Sequence, residues 1–206
     1  MIKHARLLGP VLLLVLGGCA ATDAAVRPAA APDTVSESVE EGGKFAAFVG
    51  PRRQHGEPFL GIAGTNFYVL RSWIDRRTGE TTHQLYVEDS YSGAKRQWNA
   101  AQDARGQPLR FVPISTHEIS CDNGCAYAEE FAAALPEAAL RASPQGLPVF
   151  FKARSGAQMA IPIPADLIAK QLAAVDRARA GVAAAAVAPA PGAAATPVAA
   201  TAPVTR

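Results

Sequence analysis

The chain has 206 residues, of which 49% are hydrophobic, and it carries 20 lysines and arginines against 18 aspartates and glutamates. A net charge of +2 argues against a nucleic-acid-binding protein and against a polybasic membrane patch, because both need a strong local excess of basic residues.

The first 18 residues have the pattern of a secretory signal. Lys3 and Arg6 form a short basic start, an apolar run from Leu7 to Leu16 follows, and two small residues end the segment. The apolar run is shorter than the roughly 20 residues that a membrane-spanning helix needs. The pattern therefore predicts a cleaved signal and not a transmembrane anchor.

The residues at the cut site, Leu16, Gly17, Gly18 and Cys19, resemble the lipobox of bacterial lipoproteins. The resemblance implies a diacylglycerol on Cys19, removal of residues 1–18 and acylation of the new N-terminus with a chain such as palmitate. Several acyl chains together anchor a protein stably. Ala20, in place of an aspartate, implies the outer membrane. The protein is expected to face the periplasm, with exposure at the cell surface as the alternative. The alternative is an ordinary signal peptide that is cut elsewhere.

Composition divides the remaining chain into three parts. Residues 19–43 are rich in Ala, Pro, Ser and acidic residues, which predicts a disordered acidic tether. Residues 44–180 have the length of one domain and predict a single β-rich folded unit. Residues 181–206 are rich in Ala and Pro, lack a periodic apolar face, and predict a disordered tail.

Two hairpins are expected first. Residues 67–75 and 81–88 alternate in period two around a turn that contains Gly79, which is the pattern of paired strands. Residues 149–154 and 157–163 predict a second hairpin with Ser155 and Gly156 as a two-residue turn. Pro162 and Pro164 indicate that its second strand lies at a sheet edge.

A third hairpin contains two of the three cysteines. Residues 110–120 and 126–131 are the predicted strands, with residues 122–124 as the loop. Symmetric closure would place Cys121 opposite Cys125, Ile119 opposite Tyr127 and His117 opposite Glu129. Directly opposed Cα atoms lie about 4.5–5.5 Å apart, a separation that suits a disulfide.

The chemistry of this cysteine pair has several alternatives. A c-type haem requires a CxxCH motif, whereas Ala126 follows Cys125. Zinc bound by His117, Cys121 and Cys125 would lack a fourth ligand. A redox pair would normally be CxxC at a helix N-terminus. The favoured interpretation is a structural disulfide between Cys121 and Cys125, with no metal and no cofactor.

Two helices complete the predicted fold. Residues 135–142 and 164–180 carry Pro and acidic residues where a first turn favours them. In the longer helix, Ile168, Leu172 and Val175 form a narrow apolar stripe. The fold class expected is α+β and mostly β, an antiparallel sheet or sandwich of hairpins with one or two peripheral helices.

No local motif predicts catalysis. The sequence has no HExxH, GxSxG, P-loop or GxGxxG pattern. The histidines of the folded part, His55, His83 and His117, are expected to be structural or solvated. The acidic pairs 88–89 and 129–130 lie on predicted strands, where neighbours point to opposite faces, so neither pair forms a two-carboxylate catalytic set.

The favoured function is therefore a non-enzymatic binding or structural module, anchored to the outer membrane through Cys19. An envelope protein or peptidoglycan is the expected partner, and nucleic acid is not. Basic clusters at residues 75–77 and 95–96 would contact acidic wall polymers or form solvated turns. The alternatives are a periplasmic enzyme whose site is assembled from distant residues and a carrier of small apolar ligands.

Overall fold

The computed structural model describes residues 33–122 and 124–187. The predicted signal, Cys19 and the tail from residue 188 onward lie outside the described residues. The described strands are β1 (Ser36–Glu40), β2 (Phe45–Val49), β3 (Arg53–Gln54), β4 (Phe67–Asp75), β5 (Thr81–Ser92), β6 (Trp98–Asp103), β7 (Pro108–Leu109), β8 (Phe111–Ser120), β9 (Ala126–Leu135), β10 (Leu147–Ala153) and β11 (Gln158–Ile163). The helices are α1 (Glu137–Arg141) and α2 (Ala165–Val187).

The strands form two antiparallel sheets. The larger sheet has the order β1-β2-β4-β5-β9-β8, with β3 also paired to β4, and the smaller sheet has the order β11-β10-β6-β7. The predicted class, α+β and mostly β, is confirmed. β11 is an edge strand, as Pro162 and Pro164 predicted. A proline has no N–H to donate, so it is tolerated in a strand that has no neighbour on one side.

One face of the larger sheet packs against the smaller sheet and α2. Leu70 and Leu85, on neighbouring strands of the larger sheet, are almost fully buried in the same cluster as Phe151 of β10 and Leu167 of α2. Phe131 of β9 meets Phe151 edge-on, with ring centroids 5.0 Å apart. This period-two burial of apolar side chains explains why the hairpin pattern predicted the main strands correctly.

The N-terminal boundary of the fold differs from the prediction. The segment predicted as tether contains β1, whose five residues are all exposed and which pairs with β2. Asp33 is bonded to Arg53 at 2.7 Å and to Lys170 at 2.5 Å. Composition suggested disorder because the segment has little to bury, but pairing with a sheet edge requires only main-chain hydrogen bonds.

The C-terminal boundary also differs, since α2 continues through Val187 while the tail was predicted from Gly181. Four consecutive alanines follow Val182, and alanine has the highest intrinsic helix propensity. The first proline of the tail is Pro189, so proline does not interrupt the helix before that point.

The two simpler hairpins are confirmed, with one correction. The turn after β4 is fixed by Asp75, whose Oδ1 accepts hydrogen bonds from the backbone of Arg77 and Thr78. In the β10–β11 hairpin, the Ala153 N–H donates to the Ala157 carbonyl at 2.9 Å. The loop therefore has three residues, 154–156, and not two, with Gly156 in the left-handed region that such loops require.

Candidate functional site

The cysteine hairpin forms with a shifted register. A disulfide joins Cys121 and Cys125. Bulges near Ile114 and Ile119 move β8 relative to β9. The predicted pairs Ile119–Tyr127 and His117–Glu129 are therefore wrong. In the structure, the residues opposite Tyr127, Ala128 and Glu129 are Glu118, His117 and Thr116 respectively.

The main polar feature of the fold is a pair of opposed acids inside the sandwich. As predicted, neighbouring acids on each strand point to opposite faces. Strand pairing, however, places Asp89 of β5 directly opposite Glu129 of β9. Both share the inward face with apolar neighbours such as Val87 and Phe131, and they are only 2% and 3% exposed.

Asp89 is held by a cation and an indole. Arg96 donates from one nitrogen to both carboxylate oxygens, at 2.8 and 2.7 Å. The Trp98 indole donates to Oδ2 at 2.7 Å. The Arg96 guanidinium also lies over the Tyr91 ring, 4.0 Å from its centroid. The charge of Asp89 is therefore neutralised inside the fold.

Glu129 is satisfied by neutral donors. It accepts the backbone N–H groups of Gln97 at 2.9 Å and Trp98 at 3.0 Å, and the hydroxyl of Tyr91. Burial, together with the neighbouring Glu129 carboxylate, raises the pKa of Tyr91, so the phenol keeps its proton and donates. All three partners are donors, so both oxygens of Glu129 act as acceptors.

We call these five residues the carboxylate clasp: Asp89, Glu129, Tyr91, Arg96 and Trp98. The acids and Tyr91 belong to the larger sheet, whereas residues 96–98 are the crossing into the smaller sheet. The carboxylate clasp therefore fastens the two sheets together at the point where the chain passes between them.

Two open clefts flank Trp98, each with a volume of about 440 Å³. Each is within the range of small-ligand sites. Three of the charged groups in their walls, Asp89, Glu129 and Arg96, are already bonded to each other or to the main chain, and the fourth is the exposed Arg154 on the Glu129 side. The remaining lining residues are mostly neutral: on the Asp89 side His55, Asn66, Ser90, Gln158 and Met159, and on the Glu129 side Gln97, Asn99, Phe111, Pro113, Thr116 and Arg154.

His55, at the rim of the first cleft, is fixed by a carbonyl. Its Nε2 lies 2.7 Å from the main-chain oxygen of Glu88. The Glu88 side chain is also occupied, because it accepts from the backbone N–H of Asn66 and the hydroxyl of Ser90. These contacts give His55 a positioning role in the loop that precedes β4.

A second constellation, Ser72, His83 and Glu137, has the residue types of a hydrolytic triad. Ser72 Oγ lies 2.8 Å from His83 Nδ1, and His83 Nε2 lies 3.3 Å from Glu137 Oε2. Gln171 of α2 donates to Ser72 Oγ at 2.8 Å and to the Phe48 carbonyl at 3.0 Å. One consistent chain of hydrogen bonds thus runs from α2 through the sheet to α1.

The burial of this chain decides its chemistry. Ser72 is 0% and His83 is 3% exposed, so a substrate cannot reach the hydroxyl. Burial lowers the pKa of His83, and Arg179 is the main group that lowers the pKa of Glu137. A neutral histidine bonded on both sides suits a structural role, in which α1 and α2 are fixed to the sheet.

No set of three His, Cys, Asp or Glu residues within 33–122 and 124–187 is arranged to hold a metal ion. In the same part of the chain, no helix combines the length and apolar character that crossing a bilayer requires.

Sequence reasoning missed the carboxylate clasp and the Ser72–His83–Glu137 chain. A signal for the clasp was present, because Asp89 and Glu129 share strand parity with buried residues. An acid at an inward position needs internal donors. The pairing register that brings the two acids together is not visible in a single sequence.

Comparisons with protein-family models, with curated proteins and with solved structures find no match for this chain. Its function is therefore inferred from its own residues.

Proposed function

We propose that this chain is a lipid-anchored protein of a bacterial cell envelope. Its β-sandwich would be held at the periplasmic face of the outer membrane and would bind another envelope component without catalysing a reaction. The observation that carries the proposal is the lipobox-like sequence from Leu16 to Cys19, placed 14 positions before Asp33, where the described fold begins.

The anchoring is tested by the intact mass of the protein extracted from its own membrane. Acylation at Cys19 predicts a chain that starts at residue 19 and carries the added mass of a diacylglycerol and an acyl group. The Cys19→Ser variant is expected to lose that mass and the lipid-dependent membrane association. A mature chain cut elsewhere, without lipid, would contradict the anchoring.

Binding, in preference to catalysis, is supported by the state of the polar groups at the clefts beside Trp98. Their acids and Arg96 are used inside the fold. The Asp89-side cleft offers amides, a hydroxyl and Met159, and the Glu129-side cleft adds ring edges and one exposed cation, Arg154. The Asp89-side cleft suits a neutral or weakly polar segment of a protein or glycan, bound by hydrogen bonds and apolar contact.

A cleft-filling variant tests this site. Met159→Trp fills the Asp89-side cleft from the inward face of β11 without removing any bond of the carboxylate clasp. Ala160→Trp, on the adjacent exposed position, is the matched control. If the cleft binds the partner, native mass spectra of extracted protein lose a retained component with Met159→Trp alone. Equal retention by both variants would exclude this cleft.

A carrier of small apolar ligands is a second candidate, supported by one groove. The groove has a volume of about 420 Å³ and lies between α1 and the strands below it. Its lining is mainly apolar and includes Leu109, Leu135, Pro136, Ala139 and Leu147. Saturable binding of an apolar fluorescent probe, abolished by Ala139→Trp, would favour this function over the proposed one.

A further inference from the structure

The loop between β3 and β4, residues 55–66, exposes large apolar side chains at its tip. Leu60 is 78% and Ile62 is 52% exposed, and Phe59 beside them is half-buried. Apolar side chains at one loop tip are a local exception to a fold whose other large apolar residues are mostly internal, and such exposure is typical of an interaction site.

The backbone of the tip is held in an uncommon conformation. Leu60 has a φ of 51° and ψ of 28°, in the left-handed region that side chains other than Gly, Asn and Asp rarely adopt. Gly61 follows with a φ of 73°. Two consecutive left-handed residues turn the chain sharply at the tip. Backbone strain of the kind seen at Leu60 concentrates at functional sites.

Polar contacts fix the loop below its tip. Thr65 Oγ1 accepts the Phe59 N–H and donates to the Ile62 carbonyl, both at 2.8 Å. Asn66 donates to the Glu57 carbonyl at 2.8 Å and accepts the Ser90 N–H at 2.8 Å. The tip is thus presented by a bonded scaffold, so little conformational freedom is lost when it is covered.

The position of the loop relative to the proposed lipid anchor indicates which surface can cover its tip. Asp33, where the described fold begins, is bonded to Arg53, and Arg53 lies on β3 at the root of this loop. Cys19 is 14 positions earlier, so its sulfur lies at most about 50 Å from Asp33, whatever path the chain takes. A lipid anchor on Cys19 would therefore tether the sandwich through the chain at this end, with the loop tip within reach of the bilayer.

The base of the loop suits a phospholipid surface. The Arg52 side chain is exposed, and its guanidinium lies 4.3 Å from the centroid of the Phe67 ring. Apolar groups at a tip with a cation behind them match the order of acyl chains and phosphates met on approaching a bilayer. Glu57, also exposed, lies on the same loop and limits the excess of positive charge.

We propose that the loop tip formed by Phe59, Leu60 and Ile62 inserts shallowly into the membrane that carries the lipid anchor. This inference rests on the proposed function. Because the acyl chains already supply stable attachment, the tip sets the orientation of the sandwich and keeps the clefts beside Trp98 at a defined angle to the bilayer.

A tryptophan substitution at the tip tests the proposal in the full lipidated chain. The Leu60→Trp variant is reconstituted into vesicles of phosphatidylethanolamine and phosphatidylglycerol that contain lipid brominated near the headgroup. Arg77→Trp is the matched control, since the turn after β4 lies at the other end of this strand, about 30 Å away. Relative to the parent chain, we expect an added blue-shifted and quenched emission from the Leu60→Trp variant, and neither effect from the Arg77→Trp variant.

A second measurement needs no substitution. Amide exchange of residues 58–64 in the unmodified protein is expected to be slower in vesicles than in a short-chain detergent. The double variant Leu60→Asn/Ile62→Thr is expected to lose that protection while its thermal unfolding stays unchanged. Asn tolerates the left-handed conformation of residue 60, and Thr is β-branched like the Ile that it replaces.

Each remaining outcome overturns a stated part. If the acylated Leu60→Trp variant is quenched no more than the Arg77→Trp variant, the loop does not insert. The proposal of a lipid anchor on Cys19 then still stands. If the mass shows no acyl group, the anchor fails, and quenching of the unacylated Leu60→Trp variant by added vesicles still decides the loop. A blue shift of the Leu60→Trp emission in native membranes but not in protein-free vesicles means that a protein covers the tip. That result would rule out insertion into lipid.

Discussion

The carboxylate clasp makes a quantitative prediction for Glu129. In Glu129→Gln, the amide oxygen keeps the bonds from Tyr91 and Gln97, but the NH₂ group faces the N–H of Trp98. One charge-assisted bond is lost and two donors are left opposed in a site that is 3% exposed. An unsatisfied buried polar group costs about 1–3 kcal/mol, so we expect a loss of about 2 kcal/mol.

Removal of the whole carboxylate has a larger effect. Glu129→Ala leaves the Tyr91 hydroxyl and two backbone N–H groups without an acceptor. Each unsatisfied buried donor costs about 1–3 kcal/mol, so the loss expected is about 3 kcal/mol or more. Urea unfolding followed by tryptophan fluorescence measures both values, provided that the slope with urea is unchanged.

Glu118→Gln is the control, because this residue is exposed on β8 and its substitution should shift the free energy of unfolding by less than about 0.5 kcal/mol. If Glu129→Gln also changes the free energy of unfolding by less than about 0.5 kcal/mol, the Glu129 bonds do not hold the two sheets together and the interpretation of the clasp is refuted.

Three further predictions concern pH, the disulfide and a glycine. Burial lowers the pKa of His83 below its ordinary 6.5, so acid protonates the unfolded chain first and the free energy of unfolding falls as pH drops below about 6.5. Between about pH 7.5 and 5.5, the urea midpoint of the His83→Gln variant should fall less than that of the parent chain. An equal fall in both proteins would contradict the assignment. Cys121→Ser with Cys125→Ser should cost at most about 2 kcal/mol, because the closed loop is very short; a larger loss of thermal stability would mean that the bond supports the core. Gly146→Ala should destabilise more than Gly156→Ala in the same assay, although both residues have a positive φ. A Cβ at residue 146 would lie 2.7 Å from the Ile163 carbonyl oxygen, whereas a Cβ at residue 156 would have no other atom within 4 Å. Equal losses would exclude that close contact.

The hairpins could be predicted from the sequence because their signals are local. Alternation in residues 67–88 and the Gly79 turn encode two paired strands without reference to the rest of the chain. The strands β1 and β6 carry no such signal. β1 is fully exposed and exists because the β2 edge is available to it, and β6 contains Asn99 and two alanines among its few residues.

The polar sites could not be predicted because they depend on register and on distant contacts. Symmetric closure of the cysteine loop placed His117 opposite Glu129, but a single bulged residue at Ile119 shifts every pair beyond it. His83 is bonded to Ser72, which lies 11 positions away, and to Glu137, which lies 54 positions away. No spacing rule within one segment would associate these three side chains.

The carboxylate clasp also couples the two sheets energetically. Asp89 and Glu129 are opposed on neighbouring strands, so the larger sheet alone would carry two like charges side by side on the face that becomes buried. The donors that offset this repulsion, from Arg96 to Trp98, belong to the crossing that begins the smaller sheet. Desolvation of the acids therefore becomes favourable only when that crossing is docked. Because the main apolar cluster is likewise built from both sheets, neither sheet has an independently satisfied inner face, and the sandwich is expected to unfold as one cooperative unit.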